Sequence, residues 1–241
     1  MLEQRDSTPE LMDGEEFDVG LAEASYRFIR RTNRLFGSLS AARGFLRRLL
    51  AVTKGREPLA ILDLGAGACD IPIALCHWAL RNNHAVKFTC LEKNSHAVHL
   101  ATKWAAPKNL SVEIIETELF TFLENCQSSF DGALATLFLH HLSREEIDRL
   151  LFLLSPRLRG PLFVGDLRRW PPTYAACWLY TLGTEPGVRH DVLTSVRKGF
   201  TPKELTEILE NHPAVSNFEI INQGSLRLEV EVSFSPDPVS G

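Results

Sequence analysis

The residues best suited to chemistry lie first between Leu59 and Asp70, which read Leu-Ala-Ile-Leu-Asp-Leu-Gly-Ala-Gly-Ala-Cys-Asp. Glu92 closes the next apolar run, 29 residues past Asp63. A run of branched apolar residues predicts a buried strand, and Gly65 and Gly67 after it let the backbone turn tightly beneath a ligand. Ile71, Ala74, Leu75 and Trp78 then share one face of a predicted helix. A strand, a glycine loop and a helix N-terminus suit a nucleotide-like ligand, and an acid at the end of the second strand can bind two ribose hydroxyls. Nicotinamide and flavin fingerprints carry a third glycine where this chain has Asp70. An acid there suits a cationic ligand without a pyrophosphate.

S-adenosylmethionine is such a ligand, with an ammonium, a sulfonium and a ribose. The segment Asp63-Leu-Gly65-Ala-Gly67-Ala-Cys69-Asp70 resembles the first motif of the class I S-adenosylmethionine-dependent methyltransferases, with Cys69 where a third glycine is common. The resemblance runs over roughly residues 55 to 235. It implies a cofactor site of Asp63, Gly65, Gly67 and Asp70, with Glu92 and the adjacent Lys93 after the second strand. Thr117-Glu118-Leu119-Phe120 resembles the segment in which an acid accepts from the adenine amino group and the next backbone N–H meets the ring. That assigns Glu118 and Leu119 to the cofactor, with Glu where Asp is usual. Ala135-Thr136-Leu137-Phe138-Leu139-His140-His141-Leu142 resembles the strand end that flanks the cofactor with its backbone at Thr136 and faces the substrate beyond. The Leu-His-His-Leu stretch is similar to the small-molecule and quinone-biosynthesis branch.

Imidazole titrates near neutrality, so His140 or His141 beside a bound phenol can take its proton. Adjacent histidines do not share a face on a strand, so at most one serves as base; in the alternative reading one caps the helix beginning at Ser143 and the other packs beneath it. Residues 168–199 form a substrate-side insertion rich in rings, including Tyr174 and Trp178, followed by Arg189 and His190 as polar contacts. The same rings also fit a helix covering a sheet edge. His190 is a third catalytic candidate. Asp166, ending the fifth strand, reaches cofactor or substrate, or caps the insertion.

The elements that must position these residues alternate. Strands are expected at 59–64, 86–92, 111–116, 130–137, 160–166, 217–223 and 226–233, and helices at 70–82, 95–106, 119–125, 143–154 and 202–211. Ser143-Arg-Glu-Glu146 and Thr201-Pro-Lys-Glu204 read as capping boxes. Alternating βα units imply an α/β, Rossmann-like, mainly parallel sheet with helices on both faces. Gln223-Gly224-Ser225 predicts a hairpin between the last two strands, giving seven strands with an antiparallel C-terminal hairpin. Upstream, residues 1–19 carry seven acids and one Arg and are expected to form a flexible tail or lid. Residues 20–54 form an N-terminal helical cap, broken near Gly37-Ser38 and carrying seven arginines, and residues 55–241 form the cofactor-binding domain. The arginines read as a solvated face or as a surface for an anion.

A net charge of −4 argues against a nucleic-acid partner. No apolar stretch reaches the length of a membrane span. Five cysteines without Cys-x-x-Cys spacing predict reduced thiols, a cytoplasmic location and no metal. The reading that results is a methyltransferase of secondary metabolism, using S-adenosyl-L-methionine on a small phenolic, quinone-like or polyketide-like substrate, as monomer or homodimer. O-methylation is favoured and C-methylation open. The alternatives are a nicotinamide-dependent oxidoreductase and a noncatalytic subunit that kept the fold.

Overall fold

The computed structural model describes residues 2–14, 19–53, 55, 58–106, 110–221 and 226–235. Seven strands form one sheet: β1 (Leu59–Leu64), β2 (Val86–Glu92), β3 (Val112–Glu116), β4 (Gly132–Thr136), β5 (Leu162–Leu167), β6 (Val215–Ile220) and β7 (Arg227–Phe234). Their order is β3-β2-β1-β4-β5-β7-β6. The first five are parallel, and β7 runs antiparallel between β5 and β6. The expected fold class is therefore the observed one. The turn predicted at 223–225 lies outside the described residues.

Strand order reverses between β1 and β4, and a crevice opens there at the carboxyl ends of the strands. Period-two alternation sends Leu62 and Leu64 to one layer and Leu59 and Ile61 to the other. The first layer holds α5 (Leu119–Asn125), α6 (Arg144–Leu154) and α9 (Pro202–Glu210). The second holds α2 (Ser38–Val52), α3 (Asp70–Arg81) and α4 (Ser95–Ala105). Phe45 of α2 stacks on Phe163 of β5, centroids 5.5 Å apart. Both capping boxes form, Ser143 with Glu146 and Thr201 with Glu204. Gly37, at φ +89°, separates α1 (Val19–Leu35) from α2.

Two features bear on the site. The insertion folds as two helices, α7 (Pro171–Tyr180) and α8 (Pro186–Lys198), with Pro in the first turn of each. Of the stretch read as tail or lid, residues 2–14 lie against the body. Leu11 and Met12 donate their backbone N–H groups to Asp191 of α8 at 2.7 and 3.0 Å. Arg5 donates to the carbonyls of His140, Leu142 and Lys198.

Candidate functional site

At the end of β1 the chain turns through Gly65 (φ +59°) and Gly67 (φ +52°) into the N-terminus of α3. A β-carbon at position 65 would overlap the Phe138 ring, so glycine is required there twice over. Cys69 holds φ +54°, a left-handed conformation that costs an L-residue about 1–2 kcal/mol and glycine almost nothing. The residue that replaces the third glycine thus keeps glycine's backbone shape, with its side chain fully buried. Glu92 braces the loop from β2: one carboxylate oxygen accepts from Gly67 N and the other from Asn94 N, each at 2.8 Å.

Three acids crowd this end. Burial pushes the Asp63 carboxyl well above the usual range, and Asp70 and Glu92 push it further. Burial also raises Asp70, against the Asn33 amide (3.4 Å) and the arginines Arg30 and Arg34 of α1. Glu92 is raised by burial, against its backbone N–H partners. Like charges packed into a low-dielectric pocket are relieved by a cation, and the donor set fits the ammonium, sulfonium and ribose of S-adenosylmethionine. Glu118 N-caps α5 without a side-chain cap bond, and the Thr136 hydroxyl, at the end of β4, makes no hydrogen bond among the described residues.

The other end of the crevice is built differently. His140 Nδ1 lies 2.7 Å from Asp166 Oδ1, and its backbone N–H donates to Asp166 Oδ2 at 3.0 Å. Its Nε2 faces Glu10 Oε1 at 3.4 Å, and Lys198 Nζ stands 3.5 Å from the same oxygen and 3.4 Å from His141 Nδ1. Burial opposes charge on His140, but Asp166 and Glu10 outweigh it and carry the imidazole up to about 9. Burial would likewise raise Asp166 and Glu10, and the His140 cation holds both below their ordinary values. The two carboxylates thus favour the charged imidazole at His140, which donates a proton and does not accept one. Lysine only donates, so in its contact with Lys198 the His141 Nδ1 is the accepting atom. Glu10, His140 and His141 bring ligand atoms within 4.8 Å of one another, close enough for a metal. The Lys198 ammonium already supplies a cation beside two of them.

A single cavity of about 1190 Å³ joins the two ends. Asp63, Gly65, Gly67, Asp70, Glu92, Lys93, Glu118, Leu119 and Thr136 all line it, as do His140 and His141. Asp166 stands behind His140, fully buried. Tyr174, Trp178, Arg189 and His190 are not on the cavity wall: α7 presents Thr173, Ala176, Cys177 and Tyr180, and α8 presents Val188, Asp191, Val192 and Ser195. Both sets follow i, i+3, i+4, i+7 spacing. Trp178 is 45% exposed, with the Arg189 guanidinium 5.0 Å above its ring, and His190 leans on Asp191 at the surface. The structure thus does not bring these four residues, His190 among them, together with the cofactor-side residues on this wall. Sequence reading missed Glu10, Lys198, Tyr26, Phe138 and Arg227, all of which line the cavity. For Lys198 the signal was its place at the end of α8, four residues past Thr194 and three past Ser195 on the buried face.

No protein-family model and no curated protein matches the sequence. Solved structures do share its fold. The plantazolicin methyltransferase BpumL in complex with SAH is 15% identical, with a TM-score of 0.63 over 90% of this chain and 95% of that one. The plantazolicin methyltransferase BamL, in complex with a triazolic desmethylPZN analog and SAH, is 15% identical with a TM-score of 0.65, covering 89% and 90%. Magnesium protoporphyrin IX methyltransferase from Synechocystis PCC 6803, with bound SAM, is 11% identical with a TM-score of 0.53, covering 84% and 83%. The chain has the seven-stranded, Rossmann-like fold of class I S-adenosylmethionine-dependent methyltransferases.

Proposed function

We propose that this protein is an S-adenosylmethionine-dependent methyltransferase acting on a small metabolite of phenolic, quinone-like or polyketide-like type, with transfer to oxygen favoured over carbon. One observation carries the reading: a single cavity runs from the glycine loop and Glu92 to a wall bearing Tyr26, Phe28, Phe36, Phe138 and Tyr180. Rings on that wall suit a planar acceptor. Three structural neighbours are named as methyltransferases and hold SAH or SAM, which supports the same cofactor here.

When bound, the cofactor supplies an electrophilic methyl on a sulfonium. Asp63 and Asp70 offer negative charge to its cationic end, Glu92 accepts from its ribose hydroxyls, and Glu118 accepts from its adenine amino group. The remaining work of the chain is alignment and exclusion of water. Residues 2–14 and helices α1, α7 and α8 contribute to that enclosure. A cytoplasmic location and a monomeric or homodimeric state complete the proposal.

Calorimetric titration with S-adenosylmethionine, SAH and NADH tests the cofactor. Binding of NADH without the other two would favour the oxidoreductase. A product-mass screen of phenols, quinones and polyketide-like acids, read for a gain of one methylene, tests the activity. Cofactor binding with no product across the panel would favour a noncatalytic subunit.

A further inference from the structure

The acids at the acceptor end of the cavity are mostly spoken for. Asp166 accepts from His140 and from the Leu167 N–H, and Asp191 from the Leu11 and Met12 N–H groups. Asp6 takes Arg197, and Glu146 closes its capping box. Three polar atoms remain short of partners. Glu10 Oε1 and His140 Nε2 are buried without a hydrogen bond among the described residues, at an ion-pair distance of 3.4 Å. Lys198 is 6% exposed, and its two neighbours, Glu10 and His141, stand at 3.5 and 3.4 Å. An ammonium has three donors, and strong N–H···O bonds close to roughly 2.7–3.2 Å.

The imbalance has a sign. Donors outnumber acceptors here: the three N–H groups of Lys198 and the Nε2–H of a charged His140 face one Glu10 oxygen, with two lone pairs, and the single lone pair of His141 Nδ1. What is lacking is an acceptor, and a charge-assisted bond from Lys198 is strongest to an ionised oxygen. Lys198 lines the cavity, as do Glu10 and His140. Buried polar groups in native proteins are nearly always satisfied, and here the cavity is the place from which a partner can come. We infer that Lys198, set by Glu10 and His140, anchors an anionic oxygen of the methyl acceptor, so that the acceptor is an acid bound in ionised form: an aromatic carboxylate, or an acidic phenol or enol. The inference rests on the methyltransferase reading only for the word acceptor. An ionised oxygen needs no base. That suits a site where His140 is held by Asp166 and the Nδ1 of His141 is taken by Lys198.

The probes are salicylate and its neutral counterpart salicylamide, with benzoate and benzamide as a second pair. Binding to the full-length protein is read by ligand-detected NMR and thermal shift, with and without saturating SAH. The wild type is expected to prefer each acid over its amide by about tenfold or more, in keeping with a charge-assisted contact. Lys198→Met and Lys198→Gln should bring the two within about twofold, while Lys198→Arg keeps a preference and SAH affinity by calorimetry stays at the wild-type value in all three. Equal or undetectable binding of acid and amide by the wild type overturns the inference, as does a preference that survives in either the Met or the Gln variant. Failure of SAH to bind would instead sink the cofactor reading, and the preference measured without SAH still decides the anchor.

Discussion

At the cofactor end, the carboxyls come from the sheet and its first crossover: Asp63 from β1, Asp70 from the first turn of α3, Glu92 from the end of β2. At the acceptor end, Glu10 comes from the N-terminal segment, His140 from the turn after β4 and Lys198 from the last turn of α8. The first group is a crowd of like charges, and its members are pushed toward neutrality by burial and by one another. The second is an alternating row in which each acid stands against a cation. One end is thus unbalanced until a cation enters, while the other has charge matched within the protein and hydrogen bonds left open. Strain of charge distinguishes the first end, and missing contacts the second.

The comparison can be broken most severely at Asp166. Asp166→Asn leaves a buried imidazolium with Glu10 alone at 3.4 Å. Breaking a buried pair in this way costs about 3–5 kcal/mol. For a chain of this size the melting temperature should fall by about 6–20 °C. A change under about 2 °C, read by calorimetry or circular dichroism, would mean that the row is not ionised as described.

A pH series sharpens the same point. His140 stands at about 9 in the fold against 6.5 when unfolded, so its stabilisation is complete below about pH 6.5 and lost as pH rises through 9. The loss should amount to about 3 kcal/mol. Urea unfolding at pH 6 and pH 9.5 should show it, and His140→Gln should flatten the difference. Equal slopes for wild type and variant would show that His140 is neutral in the fold.

The cofactor end should respond chiefly in affinity. Glu92→Ala removes charge-assisted hydrogen bonds worth roughly 1.5–3 kcal/mol, so S-adenosylmethionine should bind about 10- to 150-fold more weakly by calorimetry while the fold persists. Unchanged affinity would remove Glu92 from the site. The smallest effect belongs to Glu118, an exposed acid at the start of α5. One hydrogen bond of ordinary strength, about 0.5–1.5 kcal/mol, predicts a loss of about 2- to 12-fold for Glu118→Ala. No loss would leave the adenine to the backbone and apolar contacts alone.

What was legible in the sequence follows the same division. The cofactor end lies within short, periodic segments: strand, glycine turn, helix and strand occupy Leu59–Glu92, so type and spacing were enough to place every acid. The capping boxes at Ser143 and Thr201 were equally readable, because a cap is a local interaction. The acceptor end joins residues 10, 140, 166 and 198, and no local pattern connects them. The rings of the insertion divide between the two sides of α7. Tyr174 and Trp178 share one side of α7, but Thr173, Ala176, Cys177 and Tyr180 face the cavity, and which side turns inward is set by the packing of α7 against α8. Strand ends shifted by one to three residues where edge pairing with β7 decided them, as at β6.

The contact between Gly65 and the Phe138 ring is one of two constraints on position 65. A larger residue at 65 meets the ring at once, in a backbone conformation that already disfavours a side chain. A smaller residue at 138 gives up packing against the core beneath it and opens space over the loop. It therefore lifts only one of the two constraints on 65, and the left-handed backbone keeps the other. The glycine is guarded by its neighbour and by its own backbone, so the loop keeps its shape even with nothing bound beneath it.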